Sequence, residues 1–171
     1  MKNIQKIDKQ LVINIAEQTL TIYQQQTEVT KYPVSTAKNG IGGQQDSGCT
    51  PLGQHIIAEK IGDRSPINAV FVGREPTGER YSAALGALHP ERDWILSRIL
   101  WLRGLEKGIN TGSNSQGSCD TYQRYIYIHG TPDSEPMGVP LSHGCVRMRN
   151  TDIIELFEQV EEGTPVTIVA D

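Results

Sequence analysis

Between Tyr127 and Asn150 the chain reads YIHGTPDSEPMGVPLSHGCVRMRN, and no other stretch limits the fold so much. Arg124-Tyr125-Ile126-Tyr127-Ile128 has the β-branched and aromatic make-up of a strand. It runs into His129-Gly130-Thr131-Pro132, which cannot continue a strand interior because proline lacks the ladder N–H. His129 is therefore expected at a strand end. Pro132, Pro136, Gly138 and Pro140 then impose an irregular surface loop, which returns the chain to Ser142-His143-Gly144-Cys145.

The chemistry this return permits is nucleophilic. A free thiol is only a few per cent ionised at neutral pH, so a reactive cysteine needs a nearby imidazole or positive charge. His143, two residues before Cys145, points its side chain a similar way without facing the sulfur, whereas His129, across the loop, is free to face it. The reading is Cys145 as nucleophile, His129 as general base and acid, and His143 as a wall or hydrogen-bonding element. The backbone around Gly144 would form the oxyanion site. No Asp or Asn is singled out to orient the imidazole, which leaves a backbone carbonyl for that role. Ser142, Arg147 and Arg149 are the candidates for holding substrate, the arginines because a guanidinium grips a carboxylate through two parallel bonds. A zinc site built from His129, His143 and Cys145 is the other sharp reading of the same residues.

His129-Gly130 followed by Ser142-His143-Gly144-Cys145-Val146-Arg147-Met148-x-Asn150 resembles the signature of the YkuD-type L,D-transpeptidase catalytic domain. The likeness extends through Pro33-Val34-Ser35-Thr36, Thr50-Pro51-Leu52-Gly53, Ile95 to Asn110 and Gly163 to Ile168. It implies a β-sandwich-like catalytic domain over residues 1–171, a metal-free thiol and no cofactor. It also implies a substrate. In that family the matching cysteine attacks the L-centre carbonyl of a diamino acid in a peptidoglycan tetrapeptide or muropeptide and expels the terminal D-alanine. Carbapenem-type β-lactams are implied as covalent inhibitors.

Composition narrows the setting. A hydrophobic fraction of 37%, a charged fraction of 21% and a net charge of −4 describe a globular chain without the basic character of a nucleic-acid binder. No apolar run reaches the ~18 residues of a membrane-spanning helix. The N-terminal MKNIQKIDKQLVINIAEQ lacks the apolar core of a signal peptide, so a cytoplasmic location is expected, with a periplasmic one if a leader has been removed. Three cysteines without a CxxC pair suggest that Cys49 and Cys119 are free thiols, Cys119 exposed in its polar run.

Along the chain, alternation predicts a hairpin from Leu11–Ile15 and Thr19–Tyr23, then strands at Val29–Thr36, Gln54–Lys60 and Asn68–Arg74. The segment from Ala37 to Gly53 is a long loop, either functional or a disordered excursion. His55 reads as a satisfied surface or packing residue and His89 as structural, in a turn-rich stretch from Glu75 to Pro90. Ile95–Leu105 fits a helix and a buried strand equally, and the family resemblance favours the strand. After the motif the period changes to that of a helix capped by Asn150, with Ile153, Ile154, Phe157 and Val160 on one face and Gly163 at its end. Pro165–Val169 closes the chain as a strand. The fold class is mostly β with at least one helix near the C-terminus.

The acceptor would name the enzyme. Water makes an L,D-carboxypeptidase that trims tetrapeptides in muropeptide recycling, and the lack of a signal-peptide pattern makes this the expected activity. A second stem's amine makes a periplasmic L,D-transpeptidase. A catalytically silent peptidoglycan-binding module is the reading from a different class.

Overall fold

The computed structural model describes residues 8–171, so the expectation about the N-terminal segment lies partly outside the described residues. In chain order the strands and helices are β1 Lys9–Asn14, β2 Thr19–Gln24, β3 Thr27–Pro33, β4 Gly53–Ile61, β5 Ala69–Val72, β6 Glu75–Arg80, α1 Ala83–Leu88 and β7 Ile95–Gly104. They continue as β8 Ser113–Asn114, β9 Gly117–Ser118, β10 Tyr127–Gly130, β11 Val146–Met148, α2 Asn150–Gln159 and β12 Pro165–Val169. Among the described residues the fold is mostly strand, with two helices.

Ten strands share one sheet along the path β11-β10-β7-β4-β12-β1-β2-β3, with β5 and β6 joined to the start of β7. β1 and β2 form the expected hairpin, and its alternation buries Leu11, Ile13, Leu20 and Ile22 completely. Past β3 the chain runs on to β11, where Ser35 and Arg147 exchange backbone hydrogen bonds at 2.9 Å. The two ends of the sheet path thus meet around a core to which β1, β4, β7, β10, β11, β12 and α2 all contribute. No helix of the described residues is long and apolar enough to cross a membrane.

β7 is a strand buried on both faces along most of its length, which is why its apolar run carries no clean period. Four expectations need correction. The strand before the motif starts at Tyr127, not Arg124, because Tyr122 to Tyr125 form a turn in which Tyr125 takes φ +57. The stretch from Glu75 holds a strand and a helix: β6, exposed and containing Pro76 and Gly78, has the composition of an edge strand, and Ser82 caps α1 by accepting the Leu85 N–H. Asn150 is not a cap. Arg149 occupies that position, and the Asn150 side chain turns inward. Cys119 is fully buried despite its polar neighbours, its Sγ 3.8 Å from the Thr111 carbonyl. The segment from Ala37 is bound into the fold through bridges Ala37–Ser142 and Ile41–Thr50.

Candidate active site

The site is written into two adjacent parallel strands. In the register of β10 and β11, Ile128 lies beside Val146 and His129 beside Arg147. Side chains alternate between faces, so Ile128, Val146 and Met148 enter the core while Tyr127, His129, Cys145 and Arg147 emerge together on the opposite face. There they line a cleft of about 480 Å³ with Asp93, His143 and Arg124.

Cys145 is half-buried. Its Sγ accepts the Tyr127 N–H at 3.3 Å and lies 3.4 Å from the Tyr125 carbonyl, to which the thiol proton donates. Burial pushes the thiol's pKa up, the Tyr127 N–H opposes that shift, and the positive charges of Arg147 and Arg124 also oppose it. His129 is buried, and burial holds its pKa below the ordinary histidine value. Its Nδ1 lies 2.7 Å from the Gly130 carbonyl, which can only accept. Nδ1 therefore carries the proton, and Nε2 is left as a lone-pair acceptor. The imidazole is oriented by a backbone carbonyl, the partner left to it where the motif singles out no Asp or Asn. At rest the pair is a neutral thiol and a neutral imidazole.

The Ser142–Cys145 turn is held from within. The Ser142 hydroxyl donates to the Cys145 carbonyl and accepts the Gly144 N–H at 3.2 Å. Gly144 has φ +133, and a Cβ there would lie 3.2 Å from Ile126 Cδ1 and 3.3 Å from the Cys49 carbonyl. Only glycine suits that backbone and that gap. The Cys145 N–H makes no hydrogen bond to another described residue.

The candidates for holding substrate are spread out. Ser142 is buried and fixes the turn, and it does not line the cleft. Arg149 is exposed and also lies outside the lining. Arg147 lines the cleft but is itself buried, with Asp93 Oδ1 at 3.2 Å and Glu135 Oε2 at 3.9 Å. His143 is exposed at the mouth, its Nδ1 3.5 Å from Asp93 Oδ2. Burial alone would raise the Asp93 pKa, but the neighbouring His129, Arg147 and His143 outweigh it and hold the carboxyl below its usual range. Among the described residues no group of three His, Cys, Asp or Glu is arranged to hold a metal ion.

Three cleft residues had no signal in the sequence. Asp93 comes from the turn before β7 and Arg74 from the turn between β5 and β6. Arg124 donates to the carbonyls of Gly42 and Cys49 and to Ser47 Oγ, tying the loop before β4 to the back of the Ser142–Cys145 turn. No motif marks any of them, because their positions depend on strand neighbours remote in the chain.

A family model described as the YkuD L,D-transpeptidase catalytic domain matches residues 8–168. The chain is similar to the probable L,D-transpeptidase YbiS of Escherichia coli K12, 46% identical over 57 residues, which are 33% of this chain and 19% of that protein. It is also similar to the probable L,D-transpeptidase YcfS of the same strain, 29% identical over 163 residues, 93% of this chain and 43% of that protein. Among solved structures, L,D-transpeptidase 3 from Mycobacterium tuberculosis, in complex with a faropenem-derived adduct, superimposes with a TM-score of 0.55. At 18% identity, covering 94% of this chain and 60% of that one, this likeness speaks for the fold alone. These matches span under half of the two curated relatives' lengths.

Proposed function

The chain belongs to the YkuD family of L,D-transpeptidase catalytic domains, and from that premise we propose that it performs cysteine-dependent acyl transfer on peptidoglycan stem peptides. One observation carries the reading: Cys145 and His129 share a face of β10 and β11, with the Nδ1 proton of His129 committed to the Gly130 carbonyl. As Sγ attacks the L-centre carbonyl carbon, the C–S bond forms and the thiol proton passes to His129 Nε2. The uncommitted Cys145 N–H is the donor we assign to the oxyanion. Collapse breaks the C–N bond to the terminal D-alanine, whose nitrogen takes the proton from His129 and leaves a thioester on Cys145. Charge arises only while substrate occupies the cleft, in keeping with a neutral resting pair.

For the second half-reaction the amine of another stem peptide is the acceptor we favour. A second groove of about 460 Å³ adjoins the catalytic cleft and shares Gly73 and Arg74 with it, which offers a second peptide its own surface. The competing reading is hydrolysis by a cytoplasmic L,D-carboxypeptidase, and it rests on the composition of the N-terminal residues. Mass spectrometry of the protein incubated with a disaccharide tetrapeptide separates the two. A cross-linked dimer with loss of one alanine is expected, and loss of alanine without dimer would replace transpeptidation by hydrolysis. Cys145→Ala should form neither product, and any product from it would remove the thiol from the mechanism. The faropenem-derived adduct of the mycobacterial neighbour supports a parallel expectation, that a penem or carbapenem acylates Cys145, read as a mass increase, and leaves Cys145→Ala unmodified.

A further inference from the structure

Three arginines line the catalytic cleft, and two are already committed. Arg147 is buried against the carboxylates of Asp93 and Glu135, so its charge is answered from within the protein. Arg124 spends its donors on Gly42, Ser47 and Cys49. Arg74 differs from both. Among the described residues it has no carboxylate within ion-pair distance, and its one recorded hydrogen bond is from Nη1 to the Tyr127 hydroxyl at 3.1 Å. A guanidinium has five N–H donors, so most of its bonding capacity remains.

Its plane is nevertheless held. The guanidinium carbon lies 4.7 Å from the Trp101 ring centroid and 4.8 Å from that of Tyr125, and Trp101 is itself stacked on Tyr122 at 4.0 Å. Arg74 is carried by a tight hairpin turn in which Gly73 has φ +56 and Arg74 φ +67. Turns with two such residues favour glycine, asparagine or aspartate, so an arginine there is a strained choice that local folding does not explain. The turn projects it to the place where the catalytic cleft and the neighbouring groove meet.

We propose that Arg74 is a specificity-determining residue that grips a carboxylate of the donor peptide. The inference rests on the stem-peptide reading above and assigns to Arg74 the role that the motif suggested for Arg147. A pre-oriented, unanswered guanidinium on an aromatic bed matches a carboxylate in shape and charge. It holds the donor peptide in register while Cys145 reacts.

The test uses full-length Cys145→Ala, so that binding is read without turnover, and synthetic stem tetrapeptides in which one carboxylate at a time is converted to the carboxamide. At one position amidation should weaken binding about tenfold, the scale of a charge-assisted hydrogen bond. Adding Arg74→Gln should weaken the parent peptide by a similar factor and abolish that discrimination, while Arg74→Lys, which keeps the charge and loses the fork, restores part of it. Calorimetric titration gives the affinities, and matching melting curves show that the turn still folds. Discrimination that survives in Arg74→Gln would overturn the assignment while leaving the stem-peptide reading intact. If no peptide binds Cys145→Ala at all, the substrate reading fails and takes this inference with it.

Discussion

Gly130 shows how much one absent methyl group decides. A Cβ there would lie 2.5 Å from both Asn150 Oδ1 and the Leu96 carbonyl. The Asn150 side chain cannot easily yield. It accepts from Ser97 Oγ at 2.7 Å and donates to the Thr131 carbonyl at 2.8 Å, binding an irregular point of β7 to the chain just after His129. Gly130→Ala should therefore cost about 1–3 kcal/mol of stability, the usual range for overpacking, measured by denaturant unfolding. It should also lower kcat even where the protein remains folded, because the same residue's carbonyl fixes the His129 tautomer. The histidine and glycine of the motif are legible in sequence as a strand end. That the glycine is needed by an asparagine twenty residues later, and that this asparagine faces inward instead of capping its helix, depends on packing the sequence does not display.

Among the elements, β4 carries the clearest pH dependence. His55 is fully buried where β4 pairs with β12 and β7. Its Nδ1 donates to the Gly53 carbonyl at 3.0 Å and its Nε2 accepts from Thr121 Oγ1 at 2.9 Å, so both nitrogens of the neutral ring are satisfied. Burial lowers its pKa from 6.5 to about 4. The unfolded chain takes up a proton that the folded one refuses, so this stabilising contribution is complete above pH 6.5 and is lost as the pH falls towards 4. The shift corresponds to roughly 3 kcal/mol across that window. His55→Gln should flatten the fall in melting temperature over this range, leaving the slope contributed by His129, whose pKa burial also lowers. An unchanged slope would show that the folded state accommodates the His55 proton. A strand with one histidine was readable in the sequence, and so was its being satisfied and not a ligand, but surface and packing roles stayed open until burial decided for packing. Its pKa follows from complete enclosure by β12, β7 and the Thr121 turn.

At the scale of the whole molecule, the site exists because distant segments converge. The turn at Arg124, the turn at Asp93 and the tip of the β5–β6 hairpin surround Cys145 just before β11, and the loop before β4 backs its turn through the Thr50 hydroxyl bond to the Gly144 carbonyl. Arg124 is the joint. Arg124→Met removes its bonds to Gly42, Ser47 and Cys49 and withdraws a positive charge that favours the Cys145 thiolate. Unpairing those carbonyls should cost about 1–3 kcal/mol if they stay dry. Amides around Gly42 to Cys49 should exchange hydrogen faster, and iodoacetamide should alkylate Cys145 with a pH profile moved upward. A profile left in place would mean that Arg124 acts on the loop alone.

The sequence by itself determined the candidate thiol and imidazole and most of the strands. A thiol after glycine, an imidazole at a strand end and a proline-rich loop between them are local features, each imposed by a few adjacent residues. Alternation marked the β1–β2 hairpin for the same reason. Only the tertiary structure decided which arginine is free. Arg147 carries the motif and Arg74 does not, yet Arg147 is neutralised by Asp93 and Glu135 while Arg74, over Trp101, has no carboxylate partner among the described residues. Charge compensation depends on distance in space, and a single chain read in order contains no record of which residues the sheet brings within 4 Å.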